Sequence, residues 1–154
     1  MNTGGSPAIL VAEDDPDDLF LLMRALVKSG ITIPAHFVHD GREVIDYLLG
    51  EPPYQDRTAY PLPSLLLLDL MMPRLNGFEV LTWLQLQPGL RRLPVVVLSG
   101  SDRQPDIDRA HALGASVYVV KPQDPAQLIN IVTRLKEKYA LYPRGTPRLE
   151  CLSA

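Results

Sequence analysis

Polar side chains that can take part in chemistry follow the apolar runs of this sequence, each where a run ends. They are Glu13, Asp14 and Asp15 after the first run, Asp69 after four consecutive leucines, Ser99 after the fourth run and Lys121 after the fifth. A carboxylate directly after a buried run is costly unless its charge is compensated. We therefore expect these residues to compensate one another in a single site.

This combination of acids, a hydroxyl and an ammonium group indicates phosphoryl transfer. Crowded carboxylates raise one another's pKa unless a cation neutralises them, and Mg²⁺ prefers such oxygen ligands. A carboxylate can itself be the nucleophile that takes a phosphoryl group. With Asp69 as the acceptor, the metal, Lys121 and Ser99 would stabilise charge on the transferring phosphoryl oxygens.

Each residue also has a purely structural explanation. The stretch "EDDPDD" (13–18) can be the acidic start of a helix, and we assign Asp17 and Asp18 to that role. Ser99 alone is better explained as a helix cap or loop hydroxyl, and Lys121 alone as a solvated cation at a strand end. Their joint placement at strand ends is what favours a site.

The elements that must position these residues alternate regularly along the chain. We predict strands at 7–13, 33–39, 65–69, 94–99 and 116–121, and helices at 16–30, 41–50, 77–87, 106–114 and 125–139. In the first helix, the apolar residues predicted to share one face are Leu19, Leu22, Met23, Leu26 and Val27. Continuous apolar runs indicate strands buried on both faces, as in a parallel sheet covered by helices. Five β-α pairs with right-handed crossovers predict a doubly wound α/β fold, whose functional groups collect at the carboxyl ends of the strands.

Two segments fall outside this alternation. Residues 51–64 contain four prolines and two tyrosines, which predicts a long surface connection. We expect Tyr54 and Tyr60 within it to pack onto their own domain rather than to anchor a partner. Residues 141–154 show no periodicity, so we expect one domain at 7–140 with short tails at 1–6 and 141–154 and no output domain.

Composition excludes several classes of protein. A net charge of −3 over 154 residues argues against a nucleic-acid binder, which needs a basic face. The chain has neither an uninterrupted apolar run long enough for a membrane span nor the charged start of a signal peptide. A single cysteine, Cys151, excludes a disulfide framework. We expect a soluble cytoplasmic protein.

The stretches "ILVAEDDPDD", "LLLLDLMMPRLNGFEVL", "PVVVLSGSD" and "ALGASVYVVKP" together resemble the response-regulator receiver domain of two-component signalling, over roughly residues 8 to 138. The resemblance implies a flavodoxin-like five-stranded parallel sheet of order 2-1-3-4-5 with five helices. It also implies a signalling protein that catalyses only its own phosphorylation and dephosphorylation.

The resemblance assigns roles residue by residue. Asp69 corresponds to the phosphoacceptor, and Mg²⁺ would be held by Asp14 directly, by Glu13 largely through water, by Asp69 and by the backbone carbonyl of Met71. Ser99 and Tyr118 occupy the two switch positions, and Lys121 corresponds to the lysine that pairs with the phosphoryl group. Pro73 and Gly77 fit the turn after the third strand, and the Lys121–Pro122 bond is expected to be cis as in the family.

Two departures from the family pattern bear on the site. The acid pair, Glu13 and Asp14, is Glu-Asp rather than Asp-Asp, and many members of the family share the Glu-Asp pair. Met71 places an apolar side chain beside the acyl phosphate, and Ser101 is small and uncharged. Both positions influence the access of water, so we expect slow self-dephosphorylation.

The implied partner is a histidine kinase or phosphotransfer protein that donates the phosphoryl group. Residues 51–64 and "SGSDRQPDI" resemble single-domain receivers that partner bacteriophytochrome-type kinases. Phosphorylation would remodel the surface of helix four, strand five and helix five, where a downstream protein target or a second copy of the chain binds in the family.

Three other classes compete with this interpretation. A haloacid-dehalogenase-type phosphatase needs a second acid two residues after its nucleophile, where this chain has Met71. A flavin or dinucleotide binder needs G-x-G-x-x-G after the first strand, where this chain has acids. A pseudo-receiver, which binds partners without phosphorylation, is disfavoured by the complete set of Asp14, Asp69, Ser99 and Lys121.

Overall fold

The computed structural model describes residues 6–145, in which five parallel strands alternate with five α-helices. The strands are β1 Ile9–Ala12, β2 Ala35–Val38, β3 Leu65–Leu68, β4 Val95–Ser99 and β5 Val117–Val120. The helices are α1 Pro16–Lys28, α2 Gly41–Leu49, α3 Gly77–Gln85, α4 Gln104–Ala112 and α5 Pro125–Lys138. The sheet order β2-β1-β3-β4-β5 confirms the predicted flavodoxin-like fold. Residues 1–5 and 146–154 of the predicted tails, with Cys151, lie outside the described residues.

The central strands are continuously apolar because alternate residues face two different core layers. Leu10 and Leu66 pack with residues of α2, α3 and α4 on one side of the sheet. Ile9 and Leu65 pack with residues of α1 and α5 on the other side. All four side chains are at most 1% exposed. Each such burial stabilises the fold by about 1.5–3 kcal/mol, which makes β1 and β3 the anchor of the domain.

The buried face of α1 differs from the predicted one. Leu22 and Leu26 are buried as expected, and Ala25 lies with them. Met23 and Val27 are instead 45% and 74% exposed, so assigning them to the core face was wrong. Apolar residues occupy more of this helix's circumference than the sheet can cover, because α1 contacts only one face of the sheet and α5.

Helix α4 begins at Gln104, two residues before the predicted start at 106. Pro105 lies in its first turn, where the missing N–H has no intrahelical partner to lose. The proline therefore belongs to the helix rather than to the loop before it.

The Lys121–Pro122 peptide bond is not cis, so that expectation was wrong; among the described residues the cis bond is Pro52–Pro53. The trans form is the lower-energy isomer of an X–Pro bond, and Lys121 reaches its acidic partners from it.

The connection at 51–64 is hydrogen-bonded to the C-terminal end of α2. Arg57 donates to the carbonyls of Tyr47 and Leu48 at 2.8 Å each, which satisfies C-terminal carbonyls of that helix. Tyr54 and Tyr60 are half-buried, with ring centroids 5.3 Å apart, and they pack against the core. The expectation that these tyrosines pack onto their own domain is confirmed.

Residues near the predicted domain boundary also take part in the core. Leu141, one residue beyond that boundary, is 1% exposed and packs in the layer with α1 and α5.

Across residues 6–145, no helix has the length and apolar character needed to cross a bilayer.

Candidate functional site

The acids meet at the carboxyl edge of the sheet because the parallel register aligns the ends of β1 and β3. Ala12 lies opposite Leu68, and the Asp69 N–H donates to the Ala12 carbonyl at 3.1 Å. Glu13 and Asp69, the next residues in each chain segment, are therefore neighbours across the strand ends.

Three carboxylates form the centre of the site. Ligand oxygens of Glu13, Asp14 and Asp69 all lie within 4.8 Å of one another. Glu13 and Asp69 are 3% and 5% exposed, whereas Asp14 faces solvent. The Met71 N–H donates to Asp69 Oδ1 at 3.1 Å and so orients that carboxylate. Hard oxygen donors at this spacing, partly open to water, fit a divalent cation such as Mg²⁺.

Lys121 supplies the positive charge that the carboxylates require. Its ammonium nitrogen lies 2.8 Å from Glu13 Oε1, 2.7 Å from Asp18 Oδ2 and 3.2 Å from Asp69 Oδ2. Three acceptors match the three N–H donors of the ammonium group. The lysine side chain is 18% exposed, so water screens its contacts with the buried Glu13 and Asp69 only weakly.

Burial and charge shift the pKa values of this cluster. The pKa of Glu13 is raised from 4.5 to about 7, because burial and the nearby Asp69 charge raise it by more than the Lys121 hydrogen bond lowers it. Burial lowers the pKa of Lys121, but hydrogen bonds to Asp18 and Glu13 and the Asp69 charge raise it above its ordinary value. One lysine therefore does not fully neutralise the acids, and a divalent cation among them would favour the ionised form of Glu13.

The two predicted switch residues are linked through one loop residue. Ser99 ends β4, is fully buried, and its hydroxyl accepts from the Ser101 N–H at 3.2 Å. The half-buried Tyr118 donates its hydroxyl to the Ser101 carbonyl at 2.8 Å. Ser101 also donates its hydroxyl to Asp106 in the first turn of α4. Ser99, Tyr118 and the start of α4 are thereby connected by direct hydrogen bonds.

A cavity of about 330 Å³ opens beside the acids, lined by Asp14, Asp15, Asp18, Asp69, Met71, Gly100 and Lys121. Most residues proposed from the sequence thus line or adjoin one cavity. Tyr118 lies away from it, against the β4–α4 loop.

Asp18 lies at the site and contacts Lys121, although its position in the sequence predicted only a place at the acidic helix start, together with Asp17. Asp15 is the N-cap of α1, which makes Asp18 the third helical residue. Helical side chains lean toward the N-terminus of their helix, so Asp18 reaches back over the strand ends to Lys121. The spacing of Asp18, one helical turn after Glu13 and Asp14, could have indicated that it lies near these acids. Asp17 is exposed, as expected for an acid at a helix start.

Comparison with known proteins agrees with this geometry. The family described as "Response regulator receiver domain" matches residues 9–133. The probable methanogenesis regulatory protein FilR2 of Methanothrix harundinacea is 34% identical over 137 residues, covering 89% of this chain and 86% of that protein.

Two solved structures share the fold closely. The phosphorylated cyanobacterial phytochrome response regulator RcpA aligns with a TM-score of 0.79 at 35% identity, covering 87% of this chain and 94% of RcpA. The response regulator RPA3017, from red light signalling of R. palustris, aligns with a TM-score of 0.81 at 35% identity, covering 85% and 92%. Because the family match spans most of the chain and the strand order agrees with it, this chain belongs to the response regulator receiver domain family of two-component signalling.

Proposed function

We propose that this chain is a response regulator that accepts a phosphoryl group on Asp69 from a phosphohistidine of a kinase or phosphotransfer protein. The observation that carries the proposal is the placement of Asp69, which adjoins two further carboxylates and lies 3.2 Å from the Lys121 ammonium. Its activity is limited to its own phosphorylation and dephosphorylation, and it works in the cytoplasm through protein contacts, without nucleic acid.

Asp69 is prepared for attack on phosphorus. Its two oxygens have different partners: Oδ1 accepts a hydrogen bond from the Met71 N–H, and Oδ2 accepts one from the Lys121 ammonium group. An Asp69 oxygen bonds to phosphorus while the bond from phosphorus to the donor's histidine nitrogen breaks, leaving its electron pair on that nitrogen. Lys121 and Ser99 then donate hydrogen bonds to phosphoryl oxygens, where negative charge is concentrated.

The residues that would hold Mg²⁺ are Glu13, Asp14, Asp69 and the Met71 carbonyl. The bound ion supplies positive charge against the phosphoryl oxygens and lowers repulsion between them and the carboxylates. Burial and the nearby Asp69 charge raise the pKa of Glu13 to about 7, and a divalent cation among these carboxylates would favour the ionised form that ligates metals.

Phosphorylation changes the switch residues through charge. The phosphoryl group adds about 1.5 to 2 negative charges and new acceptor oxygens, which draw the Ser99 hydroxyl toward Asp69. Ser99 currently accepts from the Ser101 N–H, and Tyr118 donates to the Ser101 carbonyl, so movement of Ser99 alters the loop that holds Tyr118. The surface of α4, β5 and α5 then favours a downstream protein target or a second copy of the chain.

An exposed apolar stripe on α1 supports a protein as the phosphoryl donor. Phe20, Met23 and Val27 are 66%, 45% and 74% exposed, and the helix begins beside the acidic cavity. Apolar residues grouped at helical spacing on a surface suit a partner helix. A bacteriophytochrome-type histidine kinase is the donor class we favour, since the similar structures include phytochrome response regulators.

Labelling with a small phosphodonor tests the function directly. The purified chain, incubated with acetyl phosphate and Mg²⁺, should gain the mass of one phosphoryl group, and peptide mapping should find it on Asp69. Chelation by EDTA should prevent the gain. Absence of labelling by both acetyl phosphate and a cognate kinase, or labelling at another residue, would refute the proposal.

Asp18→Asn is expected to slow phosphorylation by about 3- to 10-fold, because Lys121 loses its shortest charged contact and is held less firmly toward Asp69. The measurement is the initial rate of labelling by acetyl phosphate at saturating Mg²⁺. Asp17→Asn is the matched control, since it removes the same charge from the exposed neighbour. Equal rates for the two variants would show that the Asp18–Lys121 contact has no role in the reaction.

Met71→Asn is expected to shorten the lifetime of the phosphorylated form by about 3- to 10-fold, equivalent to about 0.6–1.4 kcal/mol in the barrier. The Met71 side chain is 71% exposed beside the cavity, and an amide there can hydrogen-bond the attacking water where a thioether cannot. Decay of the phosphorylated protein, after removal of the donor, measures the effect. Met23→Asn makes the same exchange on α1 and should leave the decay unchanged; no acceleration in Met71→Asn contradicts the expectation.

A further inference from the structure

The β3–α3 loop, residues 70–76, carries the backbone that the site depends on. It begins directly after Asp69 and contains Met71, whose N–H orients the Asp69 carboxylate. The Gly77 N–H closes the base of the loop by donating to the Leu70 carbonyl at 2.9 Å. The conformation of this loop therefore determines where the Met71 carbonyl lies relative to Asp69.

Arg74, at the tip of this loop, has a backbone conformation that is unfavourable for its residue type. Its φ is +65°, in the left-handed region that costs a side chain of this size about 1–2 kcal/mol. Such a conformation persists only where other contacts hold it. For Arg74 those contacts come from its guanidinium group, which donates from both Nε and Nη2 to Asp40 Oδ2 at 2.8 Å each.

Asp40 joins this loop to another element. Its Oδ2 accepts from Arg74, while its Oδ1 accepts from the Glu43 N–H at 2.8 Å as the N-cap of α2. Asp40 is only 8% exposed, whereas the Arg74 side chain is 60% exposed, so water screens part of the attraction and the two short hydrogen bonds fix the geometry of the pair. One buried carboxylate thus binds the start of a helix and the tip of the loop at once.

A close backbone contact beside this ion pair joins the start of α2 to the β3–α3 loop. The Gly41 N–H donates to the Leu75 carbonyl at 3.0 Å. A Cβ at position 41 would lie only 2.2 Å from that carbonyl oxygen, so the two backbones are already at closest approach. The N-terminus of α2 is consequently a fixed support for the loop.

We propose that Arg74 and Asp40 form a clamp that positions the β3–α3 loop, so that the Met71 backbone and the Asp69 carboxylate are preorganised for a divalent cation. Both are positioning residues, since neither takes part in the reaction itself. The inference rests on the proposed function, because it assigns the clamp to that metal site.

Two substitutions remove the clamp while sparing local structure. Arg74→Gly deletes the guanidinium group but suits a positive φ, because glycine adopts that region without strain. Asp40→Asn removes the charge that Arg74 binds, yet its side-chain oxygen can still cap the Glu43 N–H. Arg42→Gln is the matched control, since it breaks the Arg42–Asp46 pair on the exposed side of the same helix.

The readout is the affinity for Mn²⁺ without any phosphodonor, followed as free Mn²⁺ by electron paramagnetic resonance. Each clamp variant is expected to bind Mn²⁺ about 10-fold more weakly than the unsubstituted protein, as for other groups that orient metal ligands. The double variant should be no weaker than either single one, because both substitutions break the same contact. Arg42→Gln should bind as the unsubstituted protein does. Should Arg74→Gly not fold, Arg74→Lys replaces it, with an intermediate affinity expected from its single ammonium group.

Unchanged Mn²⁺ affinity in folded Arg74→Gly and Asp40→Asn would overturn the clamp while leaving Asp69 labelling of the unsubstituted protein in place. Additive losses in the double variant would also overturn it, because the two residues would then act separately. Failure of the unsubstituted protein to bind Mn²⁺ and to accept phosphate on Asp69 would instead refute the proposed function, and the clamp with it.

Discussion

Replacing Asp69 with asparagine is expected to abolish phosphoryl uptake and to leave the fold intact. An amide has no carboxylate oxygen to form an acyl phosphate, and Asp69 is the carboxylate that both the Met71 N–H and the Lys121 ammonium orient. Intact mass after incubation with acetyl phosphate and Mg²⁺ measures the loss. Asp17→Asn, which removes an exposed acid of α1, should be labelled at the normal rate. Labelling that persists in Asp69→Asn would mean that the acceptor lies elsewhere.

The same substitution should not destabilise the protein. Asparagine keeps an oxygen for the Met71 N–H, and Lys121 keeps its contacts with Glu13 and Asp18. It also removes a buried negative charge that raises the pKa of Glu13. In metal-free buffer, Glu13 is protonated in the folded chain and ionised in the unfolded chain between its ordinary pKa of 4.5 and about 7. The free energy of unfolding therefore falls as pH rises through that window, and the fall should be smaller in Asp69→Asn.

Much of the fold was predictable because the central strands carry the signal themselves. Leu65 and Leu66 face opposite core layers, so a strand buried on both sides must be apolar at every position. That pattern, repeated between helical stretches, is typical of a parallel α/β sheet. The acids were predictable for the related reason that parallel register brings Glu13 and Asp69 to the same edge.

What the sequence could not reveal depends on contacts between segments far apart in the chain. Asp18 resembles any acid in a first helical turn until the helix is positioned over Lys121, 103 residues away. Arg74 and Asp40 show no periodicity, and their pairing requires a loop residue at positive φ. The first two residues of α4 were missed because proline suits both a loop turn and the first turn of a helix.

Gly77→Ala is expected to be the most destabilising single substitution considered for this domain, because α3 begins in contact with the backbone that ends β3. A Cβ at position 77 would lie 2.5 Å from the Asp69 carbonyl oxygen and 2.7 Å from the Leu70 Cα. Both are backbone atoms, so no side-chain rotation can relieve the overlap. The free energy of unfolding should fall by about 2–3 kcal/mol, the upper range for overpacking. Urea unfolding followed by circular dichroism measures this change.

The matched control is Gly89→Ala, in an exposed turn where no atom lies within 4 Å of the added Cβ. Its stability should change by no more than about 0.5 kcal/mol. Gly77→Ala molecules that do fold must move α3 away from Asp69 and Leu70, which shifts the nucleophile and the loop containing Met71. Stability and the rate of Asp69 labelling should therefore fall together in Gly77→Ala. A variant as stable as Gly89→Ala, or one that loses stability but is labelled normally, would show that the close approach of α3 does not determine the position of the acceptor.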